Sequence, residues 1–282
     1  MVLESITNPS IATKRPWIQI IIGFAFATAA IFLSIWIFEE YASLVMVFLT
    51  VMGALPLFYA TMKKEEAKDS TIIGEKTLLK EHAHALRYLF YTFIGFSIAY
   101  TLWYILLPAG MSANLFKVQT QTIANLNQHV TGHAAKISLL NKIFLNNVKV
   151  MIFCVLFAFV YGSGAIFILS WNASVIGAAA GNFIRNHVAK YAESTGLAKI
   201  GVYFHGASLS VLRYSLHGIP EIMAYFVAGM AGGILSVAVI RKEYKKKQFE
   251  KILLDASDLI LISVFILFVA ALLEVFLTPI FF

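Results

Sequence analysis

Long apolar segments constrain this chain more than any other feature. The first runs from Trp17 to Phe38, and a second runs from about Ala42 to Met62. A helix needs roughly 18 or more such residues to cross a lipid bilayer. Of the 282 residues, 60% are apolar and only 13% are charged. The sequence therefore predicts an all-α protein, a polytopic bundle of about 6–7 transmembrane helices in a lipid bilayer.

The apolar segments divide the chain into three predicted parts. Residues 1–110 hold three N-terminal transmembrane helices, with a charged cytoplasmic connector at 63–87. Residues 111–147 are rich in Asn, Gln and Thr with spaced apolar side chains, which predicts an amphipathic segment on the outer surface. Residues 148–282 form the transmembrane core. Its predicted spans are 148–170, a short glycine-rich segment at 174–184, 220–240 and 257–277.

Lysine and arginine are concentrated in three hydrophilic segments, 1–16, 63–87 and 241–256. The positive-inside rule places all three in the cytoplasm. The prediction is a multi-pass protein of the cell membrane with a cytoplasmic N-terminus and an outer C-terminus. The crossing at 172–188 is the short one, and it either spans the bilayer or forms a re-entrant hairpin.

The segment that starts at His217 joins a polar step to a glycine-rich apolar helix. Pro220 suits the first turn of a helix, where its missing N–H has no intrahelical partner. A carboxylate in that turn is favoured by the helix dipole. Steps of four along this helix reach Glu221, Tyr225, Gly229 and Gly233. That face has the GxxxG spacing of helices that pack closely against each other.

A second small-residue face follows the fourth predicted span and carries Gly177, Gly181 and Arg185. The predicted topology makes the two faces antiparallel, so their glycines are expected to meet at mid-membrane. Arg185 is then expected to form a salt bridge with Glu221, with Arg213 as the competing partner. A charge inside a membrane normally finds a partner or lines a wet cavity.

Further polar residues are open to two interpretations. Asn146 and Asn147 suit the cap of the fourth span, and the topology brings them toward the same outer half as Asn182, His217 and Glu274. His217 and Glu221 are four residues apart. They either bracket a proton or cation, or they satisfy backbone groups at the helix end.

Enzymatic and metal chemistry has little support in the sequence. His129 and His133 share a helical spacing, but no third ligand is adjacent, so an ordinary polar surface is favoured over a metal site. Zinc-protease, nucleophile-elbow and phosphate-loop motifs are absent from the sequence. Cys154 is the only cysteine. No enzyme activity, cofactor or metal site is predicted, and no nucleic-acid partner, because the basic residues flank membrane spans.

The order of these motifs resembles the stage II sporulation protein M family. Asn146-Asn147 opens an apolar helix, Gly162-x-Gly164 lies near its end, and a Trp-Asn step and a His-Gly-x-Pro-Glu step follow. The resemblance covers about residues 140–280. It implies a helical prokaryotic membrane protein without established enzymatic activity, and the family's namesake acts with cell-wall-remodelling partners. It suggests a shared core of Asn146, Asn147, Gly177, Gly181, His217, Gly218, Glu221 and Gly229.

Three function classes follow from these features. A non-enzymatic membrane scaffold or remodelling component ranks first, acting as a homo-oligomer or with a membrane or cell-envelope protein partner. A transporter or channel for an ion or small solute ranks close behind, using a polar site around Glu221 and Arg185. An intramembrane hydrolase ranks last, because no nucleophile and base can be paired.

Overall fold

A computed structural model describes residues 17–69, 75–126, 133–161, 165–191, 196–240, 242, 244 and 248–281. The predictions for the basic segment 1–16 and for His129 lie outside these residues, as does most of the basic run 241–247. The described parts of the connector 63–87 belong to helices on either side of it.

The described residues are helical almost throughout. An apolar segment in a bilayer cannot bond its backbone N–H and C=O groups to water, and a helix pairs these groups within the segment itself. The helices are α1 (Ile18–Ile37), α2 (Ala42–Asp69), α3 (Glu75–Leu106), α4 (Ala109–Leu115), α5 (Lys117–Leu126), α6 (His133–Tyr161), α7 (Ala165–Ala189), α8 (Gly196–Ile240), α9 (Gln248–Leu272) and α10 (Thr278–Phe281). A 3₁₀ turn, Glu39–Tyr41, precedes α2, and a π-helical turn, Leu273–Leu277, joins α9 to α10.

Within the described residues, seven helices are long and apolar enough to cross a membrane. The candidate spans are Ile18–Ile37, Glu39–Phe58, Arg87–Leu106, Lys136–Val160, Ile166–Ala189, Gly196–Ile240 and Phe249–Phe281. The predicted all-α polytopic membrane fold is confirmed.

The chain folds as two compact units. Unit 1 comprises residues 1–120 and 169–178, and unit 2 comprises residues 121–168 and 179–282. Helix α7 therefore contributes its middle to unit 1 and both of its ends to unit 2.

Unit 1 is built on α1, which packs against both α2 and α3. Glycines make the α1–α3 contact close. A Cβ atom at Gly23 would lie 2.7 Å from the carbonyl oxygen of Thr92, and one at Gly95 would meet the carbonyl of Ile20. Small residues that let two backbones approach are the usual basis of helix association in lipid, where apolar burial supplies little driving force.

Buried polar side chains in unit 1 bond to one another across helices. The Tyr100 hydroxyl of α3 lies 2.8 Å from Thr50 Oγ1 of α2 and 3.3 Å from Ser170 Oγ of α7. Ser43 of α2 donates a 2.7 Å hydrogen bond to the side-chain oxygen of Gln119 in α5. Because lipid offers no alternative partner, these bonds tie the helices of unit 1 together.

Unit 2 is centred on α8, which packs against α6 and α9. The α6–α9 contact has a core of Ile143, Ala271 and Val275. The end of α7 and the start of α8 form an antiparallel hairpin, in which the Tyr214 hydroxyl donates a 3.3 Å hydrogen bond to the carbonyl of Ala179.

The predicted helix start at Pro220 is wrong. Helix α8 is continuous from Gly196 to Ile240, and Pro220 lies inside it. Proline is tolerated inside membrane helices where neighbouring groups satisfy the backbone acceptor that it leaves free. Here that acceptor is the carbonyl of Leu216, one turn earlier, which receives no N–H from Pro220.

Two other predicted boundaries also differ from the structure. Asn146 and Asn147 do not cap a helix; they lie inside α6, which begins at His133. Residues 171–173 lie inside α7, which begins at Ala165, so no helix boundary falls there. The Gly162-x-Gly164 step lies outside the described residues. The crossing expected to be short is 24 residues long.

Candidate functional site: a polar cluster within spanning helices

The Glu221 carboxylate is held by its own helix. Tyr225, one turn further along α8, donates a 2.8 Å hydrogen bond from its hydroxyl to Glu221 Oε1. Tyr225 is only 1% exposed, whereas Glu221 is partly buried. The spacing of four residues places both side chains on one helix face. The phenol therefore fixes the position of the carboxylate without neutralising its charge.

A second carboxylate, Glu274, approaches from α9. It lies in the π-helical turn Leu273–Leu277 and is close enough to Glu221 for the two charges to interact. A π-turn inserts a residue into a helix and turns its side chains onto a new face, and such turns are frequent at functional sites. The turn thus brings the only acidic residue of this part of α9 toward α8.

His217 and Thr278 join the two helices beside the carboxylates. The Thr278 hydroxyl lies 3.4 Å from His217 Nδ1 and donates a 3.1 Å hydrogen bond to the carbonyl of Leu273. The second bond satisfies a backbone acceptor within the π-turn. The contact with His217 also shows that the π-turn of α9 lies at the same level as Pro220 of α8. Two facing helices are therefore irregular at one point.

Asn147 contributes a buried amide from α6. Its side chain is 5% exposed, and its Nδ2 atom has no hydrogen-bond partner among the described residues. Asn147 lies one turn from Ile143, which packs against Ala271 and Val275 on either side of Glu274. Residues four apart share a helix face, so the unsatisfied amide belongs to the α6–α9 contact. A buried amide donor is costly unless it is hydrogen-bonded, so Asn147 is a polar group within an otherwise apolar helix contact.

We call Glu221, Tyr225, Glu274, His217 and Thr278 the polar cluster. It offers two carboxylates, an imidazole and two hydroxyls within apolar spanning helices, and the Asn147 amide lies on the adjoining α6–α9 contact. In the described residues, the hydrogen bond that Glu221 receives comes from a neutral phenol, and no ion pair accompanies it. A carboxylate in such surroundings holds a proton, binds a cation or contacts water, because an uncompensated charge is strongly disfavoured there.

The predicted salt bridge between Arg185 and Glu221 is wrong. The α7–α8 hairpin pairs Ala179 with Tyr214 and His187 with His205. Arg185 therefore lies opposite the part of α8 around Ala207, about four turns before Glu221. Tyr225 provides the contact that the sequence assigned to arginine.

The competing partner, Arg213, is occupied elsewhere. Its guanidinium lies over the ring of Phe183, 5.4 Å from the centroid. Eight residues of helix, about 12 Å, separate Arg213 from Glu221. Cation–π contact with an aromatic ring takes the place of the predicted ion pair.

The predicted glycine-to-glycine contact is also wrong. A Cβ atom at Gly177 would meet the Cβ of Tyr100 in unit 1, whereas one at Gly233 would find no heavy atom of the described chain within 4 Å. The close contact of α8 is made by Gly232, whose added Cβ would meet the carbonyl of Val155 and lie 3.1 Å from Ala158 Cβ. Gly232 and Gly233 are adjacent, and one residue along a helix corresponds to a rotation of about 100°. The face that carries Glu221, Tyr225, Gly229 and Gly233 therefore differs from the face that makes the close contact through Gly232.

The other predicted site residues occupy structural positions. Gly181, Gly218 and Gly229 are buried in their helices, and Asn146 is partly buried beside Asn147. Of the predicted set, the structure brings Glu221, Tyr225 and His217 together in the polar cluster, with Asn147 on the adjoining helix contact. Their role in binding stays a prediction. Across the part of the chain that is described, no three His, Cys, Asp or Glu side chains form a metal-ligand group.

Seven candidate spans and a polar cluster between facing helices define a multi-pass helical membrane protein. The family model of stage II sporulation protein M matches residues 44–279, which is most of the chain. The protein therefore belongs to that family, and the match extends the resemblance noted at residues 140–280 to the second and third N-terminal helices, α2 and α3. No curated protein and no solved structure matches the chain.

Two features of the cluster are not apparent from sequence patterns. Glu274 stands in an uninterrupted apolar run, where nothing signals that a π-turn will form around it. Thr278 joins the cluster through that turn. The sequence indicates Glu274 only by its acidic side chain, because a carboxylate within a membrane-spanning segment is by default a candidate functional residue.

Proposed function

We propose that this member of the stage II sporulation protein M family transports a proton or small cation, with Glu221 and Glu274 as the binding groups. The observation that carries the proposal is the approach of these two carboxylates from facing spanning helices. Intramembrane acidic residues that face one another are typical of ion pathways and proton relays.

The backbone irregularities support the same function. Pro220 in α8 and the π-turn in α9 lie at the level of the carboxylates. Interrupted helices free carbonyl oxygens and place them beside ions, which is how many transporters build their sites. Asn147 adds an unpaired buried amide. The polar cluster thus supplies oxygen ligands for a cation and exchangeable protons.

A flux measurement tests this proposal. The purified protein is reconstituted in liposomes with a trapped pH-sensitive dye, and proton entry is driven by a potassium diffusion potential. Flux above that of empty liposomes is expected for the natural chain, with loss in Glu221→Gln and Glu274→Gln. Exposed Glu250, in the first turn of α9, provides the matched control Glu250→Gln, which should retain flux. Parallel assays with Na⁺ and K⁺ gradients identify a cation other than the proton. Equal flux in all variants, or none above empty liposomes, would overturn the proposal.

A scaffold function is the second candidate, favoured by the length of α8. Its 45 residues span about 68 Å, whereas the hydrocarbon core of a bilayer is about 30 Å thick. Its first part carries exposed apolar side chains: Leu197, Ile200, Phe204 and Val211. Tilt alone does not absorb that length, so part of this apolar face is available to a partner outside the bilayer core.

Site-specific crosslinking separates the two functions. A photo-crosslinking residue at Phe204 should yield a discrete product with a second copy or an envelope protein if α8 docks a partner. The same residue at Ile262, which is also exposed, is the control for lipid-facing positions. Discrete products at residue 204 without ion flux would favour the scaffold; flux without such products would favour transport.

A further inference from the structure

Two histidines meet near the closed end of the α7–α8 hairpin, away from the polar cluster. His205 Nδ1 of α8 lies 3.0 Å from His187 Nε2 of α7, and the ring centroids are 5.0 Å apart. His205 is exposed and His187 is half-exposed. His187 is two residues from the end of α7, which puts the pair at the margin of a candidate span.

The surroundings of this pair fit the His187 ring closely. A Cβ atom at Gly206 would come 3.0 Å from His187 Cδ2, so glycine at this position leaves the room that the imidazole occupies. The ring of Phe183 stacks on His187 with an interplanar angle of 15°, and Tyr191 lies 5.3 Å away between centroids. The two imidazoles are therefore held in fixed relative positions by two helices.

From this geometry we infer that His187 and His205 form a binding site for a divalent transition metal ion, with Cu²⁺ and Ni²⁺ preferred over Zn²⁺. With metal–nitrogen bonds of about 2.0–2.1 Å, ligands at a right angle lie about 2.9 Å apart and tetrahedral ligands about 3.3 Å apart. The 3.0 Å separation matches the right-angled arrangement. Imidazole in tetragonal geometry favours Cu²⁺ and Ni²⁺.

The protein supplies two nitrogen ligands, His205 Nδ1 and His187 Nε2, and water occupies the remaining coordination positions of the metal. One imidazole binds through Nδ1 and the other through Nε2, so each ring keeps its proton on the remaining nitrogen. In the metal-free protein the same two atoms share one hydrogen bond. When the metal binds, the proton of the donor ring moves through solvent to the other nitrogen of that ring, so both imidazoles stay neutral. Lys190 lies close enough to His187 for its positive charge to oppose the bound cation. Removing that charge should strengthen binding.

Copper binding to the full-length chain in detergent, free of any histidine tag, tests the site. Calorimetric titration with Cu²⁺ should show one saturable site, and its electron paramagnetic resonance spectrum should show coupling to imidazole nitrogen. His187→Gln and His205→Gln should each weaken binding at least about tenfold. Lys190→Gln should tighten it. Thermal unfolding without metal checks that the exposed substitutions leave the fold intact.

The control is the sequence pair His129 and His133, whose spacing of four residues was considered for a metal site above. His129→Gln combined with His133→Gln should leave copper affinity and the spectrum unchanged. Loss of binding in that double variant, with retention in His187→Gln and His205→Gln, would overturn the assignment. The same holds if the natural chain binds no copper, because the 3.0 Å contact would then be a hydrogen bond alone.

Discussion

Tyr225 donates a 2.8 Å hydrogen bond to Glu221 from one turn further along the same spanning helix. The donor is almost fully buried, so its hydroxyl has no access to water. The bond holds a carboxylate that is close enough to Glu274 of the facing helix for the two charges to interact. A local i, i+4 contact thus sets the geometry of a site that two helices share.

Tyr225→Phe should destabilise the protein by about 1–3 kcal/mol, because the substitution removes the donor and leaves a partly buried carboxylate less satisfied. The measurement is unfolding in detergent micelles by denaturant or heat. Exposed Tyr203 in the same helix provides Tyr203→Phe, which should have almost no effect. A double-mutant cycle with Glu221→Gln should give a coupling energy of about 0.5–3 kcal/mol. Zero coupling would show that the bond does not stabilise the fold.

Gly232→Ala and Gly233→Ala should have opposite effects on stability. The added methyl group at Gly232 meets the carbonyl of Val155, a backbone atom that cannot move alone, and overpacking of this kind costs about 1–3 kcal/mol. At Gly233 the added methyl group has open space, and alanine gains up to about 1 kcal/mol of helix propensity. Thermal unfolding temperatures of the two variants measure the difference. Equal temperatures would contradict the assignment of Gly232 as the contact residue.

The fold class followed from the sequence because spanning helices leave long apolar runs that few other structures produce. Helix ends were harder to predict. Pro220 and the Asn146-Asn147 step are both compatible with helix starts, but continuous packing along α8 and α6 overrode those local signals.

The site was partly predictable for a related reason. His217, Glu221 and Tyr225 are close in sequence, so helical spacing alone brings them together. Glu274 and Thr278 reach them only through the register of α8 against α9 and a π-turn. Likewise, the position of Arg185 depends on the register of the α7–α8 hairpin, which places it about four turns from Glu221. No sequence pattern fixes a register of this kind.

Tyr100→Phe should destabilise unit 1 by about 0.5–1.5 kcal/mol, because it removes the hydroxyl that joins Thr50 and Ser170. Thr50 keeps its own 2.7 Å bond to the carbonyl of Met46, which limits the loss. Exposed Tyr41 provides the control Tyr41→Phe. Ser170→Ala in the Tyr100→Phe background should cost less than in the natural chain. Additive effects would show that the two hydroxyls do not interact.

The orientation inferred from charge can be tested with single cysteines. Cys154 is buried, so Cys154→Ser provides a background without accessible thiols. Into it, Ser10→Cys and Ile280→Cys are introduced separately; Ile280 is 73% exposed. The positive-inside rule places residue 10 in the cytoplasm, and an odd number of crossings then places residue 280 outside. A membrane-impermeant maleimide added to intact cells should label residue 280 and spare residue 10, whereas permeabilised cells should show both labelled. Labelling of residue 10 alone in intact cells would reverse the orientation. Labelling of both residues or of neither would mean an even number of crossings. In that case one of the seven candidate spans does not cross the membrane.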